Sequence, residues 1–235
     1  MGRIIHTGGL GKMLYMTKGM KKTVILLYII IFYAIWTCFE LFVKDFLDRV
    51  IINENLCQFV KSGIIKNIVW TIPAIMLIKH YKNDVNISLK EMFNVRCNWG
   101  KYLPVFVLFT VYLLVGAFLL KGEIAIVDEF GIDKIIIVLF VGLTEEMVFR
   151  GWLLNATIED DRKWRGIVIN AILFLVIHFP IWIHNGVFIS NFTSFSFLCV
   201  PILSIIFSWT FIKSRNILIP ITLHMYWDLM MFMLY

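Results

Sequence analysis

Seven stretches of this chain are apolar for long enough to cross, or nearly cross, about 30 Å of hydrocarbon. They run Thr23–Val43, Gly63–Ile78, Tyr102–Leu120, Lys134–Leu154, Gly166–Ile183, Phe195–Ile212 and Asn216–Tyr235. Composition agrees with this reading. Hydrophobic residues make up 60% of the 235 positions and charged residues 16%, against roughly 45–50% and roughly 25% in a soluble domain. Mean hydropathy is +0.84. A soluble globule has nowhere to bury so much apolar surface, and a disordered chain, a collagen or a coiled coil is excluded on the same ground. The expected fold class is all-α: a polytopic transmembrane helical bundle of about seven spans. The second run is the shortest and holds Asn67 and Pro73, which predicts a kinked or partly re-entrant segment.

Basic residues orient this layout, because Lys and Arg collect in cytoplasmic loops. With the N-terminus inside, fifteen of them fall in cytoplasmic segments, among them Lys18, Lys21, Lys22, Lys79, Lys82, Arg96, Arg162, Lys163, Arg165, Lys213 and Arg215. Six fall outside or at outer helix ends: Lys44, Arg49, Lys61, Lys66, Lys121 and Lys134. Seven spans then leave the C-terminus outside. The net charge of +6 is the signature of this asymmetry, and no nucleic-acid partner is expected. The first apolar run is about 21 residues, longer than the roughly 7–15 of a secretion signal, and no small-residue cleavage site follows it. The expectation is a retained first helix preceded by a cytoplasmic segment, 1–22. Cys38, Cys57, Cys97 and Cys199 form no CxxC pair, so neither a zinc knuckle nor a redox motif is indicated.

Against this background the ionisable residues inside the spans stand out. Each costs roughly 2.5–3.5 kcal/mol to insert, which makes it a functional candidate by default. The fourth span carries Glu145, Glu146 and Arg150, the fifth His178, the seventh His224 and Asp228, and the first Glu40 near its outer end. Glu146 and Arg150 are four apart and can meet on one helix face, where a buried pair is far less costly than either charge alone. That leaves Glu145, rotated by about 100°, for chemistry. His224 and Asp228 are also four apart, and His178 lies one turn past Phe174, whose ring can pack beside it. At 1.5 Å per residue, Glu145, His224 and His178 sit roughly 14, 12 and 18 Å from their cytoplasmic helix ends. One shared site is therefore expected. Glu40 is expected near the outer interface, and His184 in an outer loop.

Three motifs, each in a transmembrane run and in this order, carry a family resemblance: Glu145-Glu146-x-x-x-Arg150, Phe174-x-x-x-His178 and His224-x-x-x-Asp228. Arg150-Gly-Trp-Leu-Leu follows within the first, and Asn216-Ile-Leu-Ile-Pro220 precedes the third. Together they resemble the CAAX protease and bacteriocin-processing family of glutamate-dependent intramembrane endopeptidases. The resemblance covers 134–235, which would form a four-helix catalytic core, with 23–133 as preceding membrane helices. It implies Glu145 as the general base on a water, assisted by His178, and His224 with Asp228 at the oxyanion. Glu146, Arg150 and Phe174 would support the site. It implies no metal and no cofactor, and a peptide or protein substrate met in the membrane. The family's fourth-position residue is Asn or Asp; an ionised Asp only accepts hydrogen bonds, so Asp228 would act protonated or by orienting His224. Short loops suggest a bacterial cell-membrane protein with a secreted-peptide precursor as substrate.

Other readings remain open at this level. Two His with carboxylates could hold zinc, although no HExxH occurs. No GxSxG points to a serine enzyme, and Asp228 is the only Asp well inside a span. Buried Glu and His also serve proton-coupled carriers, and a catalytically silent relative could act as a scaffold or immunity protein. Oligomeric state is not legible.

Overall fold

The computed structural model describes residues 18–235, so residues 1–17 of the expected cytoplasmic segment lie outside the described residues. All regular structure among the described residues is helical. Seven long helices carry it: α1 (Met20–Val50), α2 (Glu54–His80), α3 (Trp99–Lys121), α4 (132–157), α5 (Asp160–His184), α6 (Ser196–Ser214) and α7 (Leu218–Leu234). By length and composition α1, α2, α3, α5 and α6 are apolar enough to cross a membrane. The shorter α7 is apolar throughout, and α4 holds Asp133, Lys134, Glu145, Glu146 and Arg150. The second run is longer than its apolar stretch predicts: α2 extends from Glu54 through Pro73 to His80 as one helix rather than a re-entrant segment.

The helices run alternately between two ends of the bundle, and contacts between the loops fix those ends. At one end Lys21 Nζ donates to Asp84 O (2.6 Å), Asn86 meets Asn155, Arg215 pairs with Glu91 (2.6 Å), and Asn216 reaches Val95 O (2.7 Å). At the other, Lys61 pairs with Asp48 (2.6 Å), His184 with Asp45 (3.3 Å), and Val127 N donates to Met233 O (3.0 Å).

Helical periodicity divides each helix into two faces. On α3, Val107, Val111 and Val115 recur every four residues and are exposed, while Phe109, Leu113 and Ala117 are buried against Phe207, Leu223 and Trp227 of α6 and α7. The exposed stripe is the face available to lipid. A second core gathers Phe32, Trp36, Trp70, Phe149 and Phe174 from α1, α2, α4 and α5, with edge-on ring contacts such as Phe32–Trp70 at 4.7 Å and Phe149–Phe174 at 4.9 Å. Where α4 meets α7 the backbones approach closely. A Cβ on Gly142 would lie 2.6 Å from Met225 Cγ, 3.2 Å from Met225 N and 3.3 Å from Ile221 O. Gly142 thus lets the helix that carries Glu145 and Glu146 lie directly against the one that carries His224.

Candidate active site

Local helix chemistry sets each functional side chain. On α4 the turns widen after Glu146, and Asn155 N reaches back five residues to Arg150 O; such wide turns are rare and concentrate at functional sites. On α2 the same geometry flanks Lys66, whose own N–H reaches Lys61 O and after which Ile72 N reaches Asn67 O. The Asn67 side chain occupies Gly63 O at 2.9 Å. On α5, Pro180 has no N–H to offer and interrupts the helix, so that His178 sits in a turn between Val176 and Phe179. The seventh helix starts where it does because Arg215 ends α6 in a left-handed conformation and Asn216 Oδ1 caps Leu218 N at 2.8 Å.

Glu146 is fully buried and holds two partners through one oxygen. Arg150 Nη1 donates to Glu146 Oε1 at 2.9 Å, and His224 Nδ1 donates to the same oxygen at 2.8 Å. The i,i+4 pair expected from spacing is therefore present, and it also ties α4 to α7. Arg150 Nη2 donates further to Ser204 O and Ser204 Oγ, at 3.1 and 2.8 Å. Its guanidinium lies 4.6 Å from the Phe174 ring centre and 5.4 Å from that of Phe207, so α4, α5 and α6 are joined through one cation.

The Nδ1 hydrogen bond fixes which face of His224 is free. Nε2 points toward Asp228 Oδ2 at 3.6 Å and Glu145 Oε2 at 3.9 Å, longer than direct hydrogen bonds. The ring stacks on Phe207 at 4.9 Å. His178 Nδ1 donates to Phe174 O at 2.7 Å, which leaves the Nε2 lone pair as its free face. The Phe174 ring packs beside both histidines, 5.0 Å from His178 and 5.9 Å from His224. Glu145 is 6% exposed, and its Oε2 accepts no hydrogen bond from any described residue.

The structure thus gathers Glu145, Glu146, Arg150, Phe174, His224 and Asp228 into one cluster. His178 joins it through the Phe174 ring and makes no ion pair with a carboxylate among the described residues. One participant was misplaced by sequence reasoning. Lys66, expected at an outer helix end, is buried and donates to Glu145 Oε1 at 2.7 Å. Its ammonium lies 4.4 Å from the Trp70 ring centre and 5.4 Å from that of Trp36. Helix periodicity within α2 offers no signal for this, because the partner is 79 residues away; the only sequence hint is a Lys followed four positions later by a Trp. Glu40 is buried within the protein and pairs with Lys44, one turn further along α1, at 3.3 Å. His184, expected in a loop, closes helix α5. Among the described residues no group of three or more His, Cys, Asp or Glu is arranged to hold a metal ion.

Comparison with known proteins adds one match. Residues 130–230 match the family model described as type II CAAX prenyl endopeptidase Rce1-like. No curated protein matches the chain, and no solved structure does. The matched segment contains Glu145, Glu146, Arg150, Phe174, His178, His224 and Asp228, and excludes Lys66. The multi-helix membrane protein described here is therefore, over residues 130–230, similar to the Rce1-like proteases of the CAAX protease and bacteriocin-processing family.

Proposed function

We propose that this chain is an endopeptidase that hydrolyses a peptide bond within the membrane by means of a glutamate-activated water. The observation that supports it most is the state of Glu145. One carboxylate oxygen is held by Lys66, and the other is buried, accepts no hydrogen bond from a described residue and lies on the side of His224 Nε2.

Glu145 Oε2 takes a proton from water as the water oxygen attacks the substrate carbonyl carbon. The His178 Nε2 lone pair accepts the water's second hydrogen and aims its oxygen. His224, with Nδ1–H committed to Glu146, presents Nε2 where the carbonyl oxygen becomes negative; a proton on Nε2 makes it the donor an oxyanion needs. Asp228 sits beside that nitrogen and holds its orientation. When the C–N bond breaks, the proton on Glu145 passes to the leaving amine, and the carboxylate is restored. All groups used are side chains of this chain, and the reaction needs no metal.

For the substrate we propose a small secreted or signalling peptide precursor in a bacterial cell membrane. That step rests on family likeness alone. The rival reading is a silent relative that binds peptides without cutting them.

The test compares secreted and membrane-bound peptides from cells carrying wild type or Glu145→Gln, a change that removes the base at nearly constant shape. The expected result is a set of peptides with a shared end pattern that appears only with wild type and falls by at least about a hundredfold in the variant. Identical profiles, with the variant folded in the membrane at wild-type amounts, would establish the silent reading.

A further inference from the structure

Of the Lys66–Glu145 pair, Lys66 lies outside the matched segment and Glu145 inside it. We propose that Lys66 is a positioning residue: its ammonium keeps Glu145 in the carboxylate form and fixes which of its two oxygens faces the reaction. This rests on the reading of Glu145 as general base.

The argument begins with charge in a low-dielectric interior. Glu145 and Glu146 are consecutive and both buried. Two adjacent carboxylates away from water stay ionised only with two compensating cations. Arg150 is committed to Glu146 and to Ser204. His224 gives its Nδ1–H to Glu146 and keeps Nε2 at 3.9 Å from Glu145 Oε2, beyond hydrogen-bond distance, and His178 gives its Nδ1–H to Phe174 O. Lys66 is thus the cation in direct contact with Glu145, at 2.7 Å. Burying an ammonium is itself costly, and the structure answers that cost with aromatic faces. Trp70 and Trp36 lie under the ammonium on two sides, where ring quadrupoles attract a cation. Trp36 belongs to α1 and Trp70 to α2. The first two helices, which the family match does not include, therefore deliver a positive charge to the base.

Geometry adds the second half. Lys66 binds Oε1 alone, and Oε2 is the oxygen nearest His224 Nε2. A carboxylate pinned at one oxygen cannot rotate freely, so the proton-accepting oxygen stays directed at the water.

Infrared spectra of the purified full-length protein test the claim without any substrate. In Lys66→Met a C=O stretch of a protonated carboxylic acid should appear that is absent from wild type and from Lys66→Arg. It should vanish again in the double variant Lys66→Met/Glu145→Gln. In cells, the peptides that depend on Glu145 should fall by about a hundredfold in Lys66→Met, the scale of a lost general base. They should persist within about tenfold in Lys66→Arg, which keeps the charge and stacks on tryptophan. A Lys66→Met protein with no new acid band, or with wild-type peptide output, overturns the proposal. If Lys66→Met fails to accumulate, recovery of the folded protein in the double variant supports charge compensation, and failure of both makes Lys66 a packing residue. Unchanged output in Glu145→Gln would instead sink the protease reading itself; loss there with full output in Lys66→Met sinks only the role of Lys66.

Discussion

Arg150 joins α4 to α5 and α6. It is fully buried, meets Glu146 and Ser204 through two different nitrogens, and lies over Phe174 and Phe207. Arg150→Met keeps much of the volume and removes the charge, which leaves Glu146 buried with only His224 as donor. Removing one member of a buried pair costs about 3–5 kcal/mol, so a large fall in the detergent-solubilised protein's unfolding temperature is expected. A variant with wild-type thermal stability would show that Glu146 needs no cation. Arg150→Lys should fall between the two, because an ammonium is a point charge and lacks the planar fork that reaches both partners. Half of this arrangement is legible in the sequence. Four-residue spacing gives Glu146–Arg150, since helix geometry puts those positions on one face. It cannot give the His224 bond to the same oxygen or the Lys66 bond to Glu145, which span 78 and 79 residues. Those depend on which helices become neighbours, and hydropathy carries no information on that.

At the level of elements, the approach of α4 to α7 decides whether the site exists. Glu146 reaches His224 only if the two backbones lie close, and Gly142 is one turn before the glutamates on the facing surface. The Met225 side chain at 2.6 Å from an added Cβ could move aside, but Met225 N at 3.2 Å and Ile221 O at 3.3 Å are backbone and cannot. Gly142→Val should therefore separate the helices and cost about 1–3 kcal/mol, as overpacked cores do. The checks are a lowered unfolding temperature and the loss of Glu145-dependent peptides. Gly142→Ala should show both effects in weaker form. If Gly142→Val keeps full peptide output, the α4–α7 contact is not what aligns the site. The sequence presents Gly142 only as a glycine in an apolar run, with no sign that another helix passes over it. In α2, by contrast, the sequence misled for a physical reason. A Lys at the edge of an apolar stretch ordinarily extends its stem toward the interface, so Lys66 read as a helix-end residue. The actual helix starts nine residues earlier than the apolar run, at Glu54, and this places Lys66 well inside it.

At the scale of the whole molecule, two ends of the bundle differ in charge, and the structure sharpens the difference. Of the six basic residues assigned to the outer side, Lys61 and Lys66 are buried and paired with Asp48 and Glu145. They therefore no longer count as loop charges, and Lys44, Arg49, Lys121 and Lys134 remain. The opposite end keeps its excess: Lys21, Lys22, Arg162 and Arg165 line one cavity of about 520 Å³ there, between the starts of α1 and α5. That the starts of these two helices share an end is what the alternation of spans requires. The basic excess predicts that this end is cytoplasmic. It can be checked with single cysteines in a background where Cys38, Cys57, Cys97 and Cys199 are replaced by serine. Asn83 and Glu123 are both exposed, the first in the loop after α2 and the second in the loop after α3. Asn83 neighbours the Lys21–Asp84 contact, whereas Glu123 lies on the side of the Val127–Met233 contact. A membrane-impermeant maleimide should label Glu123→Cys in intact cells and label Asn83→Cys only after permeabilisation. The reverse pattern would invert the protein in the membrane, and labelling of both in intact cells would mean that α3 does not cross it.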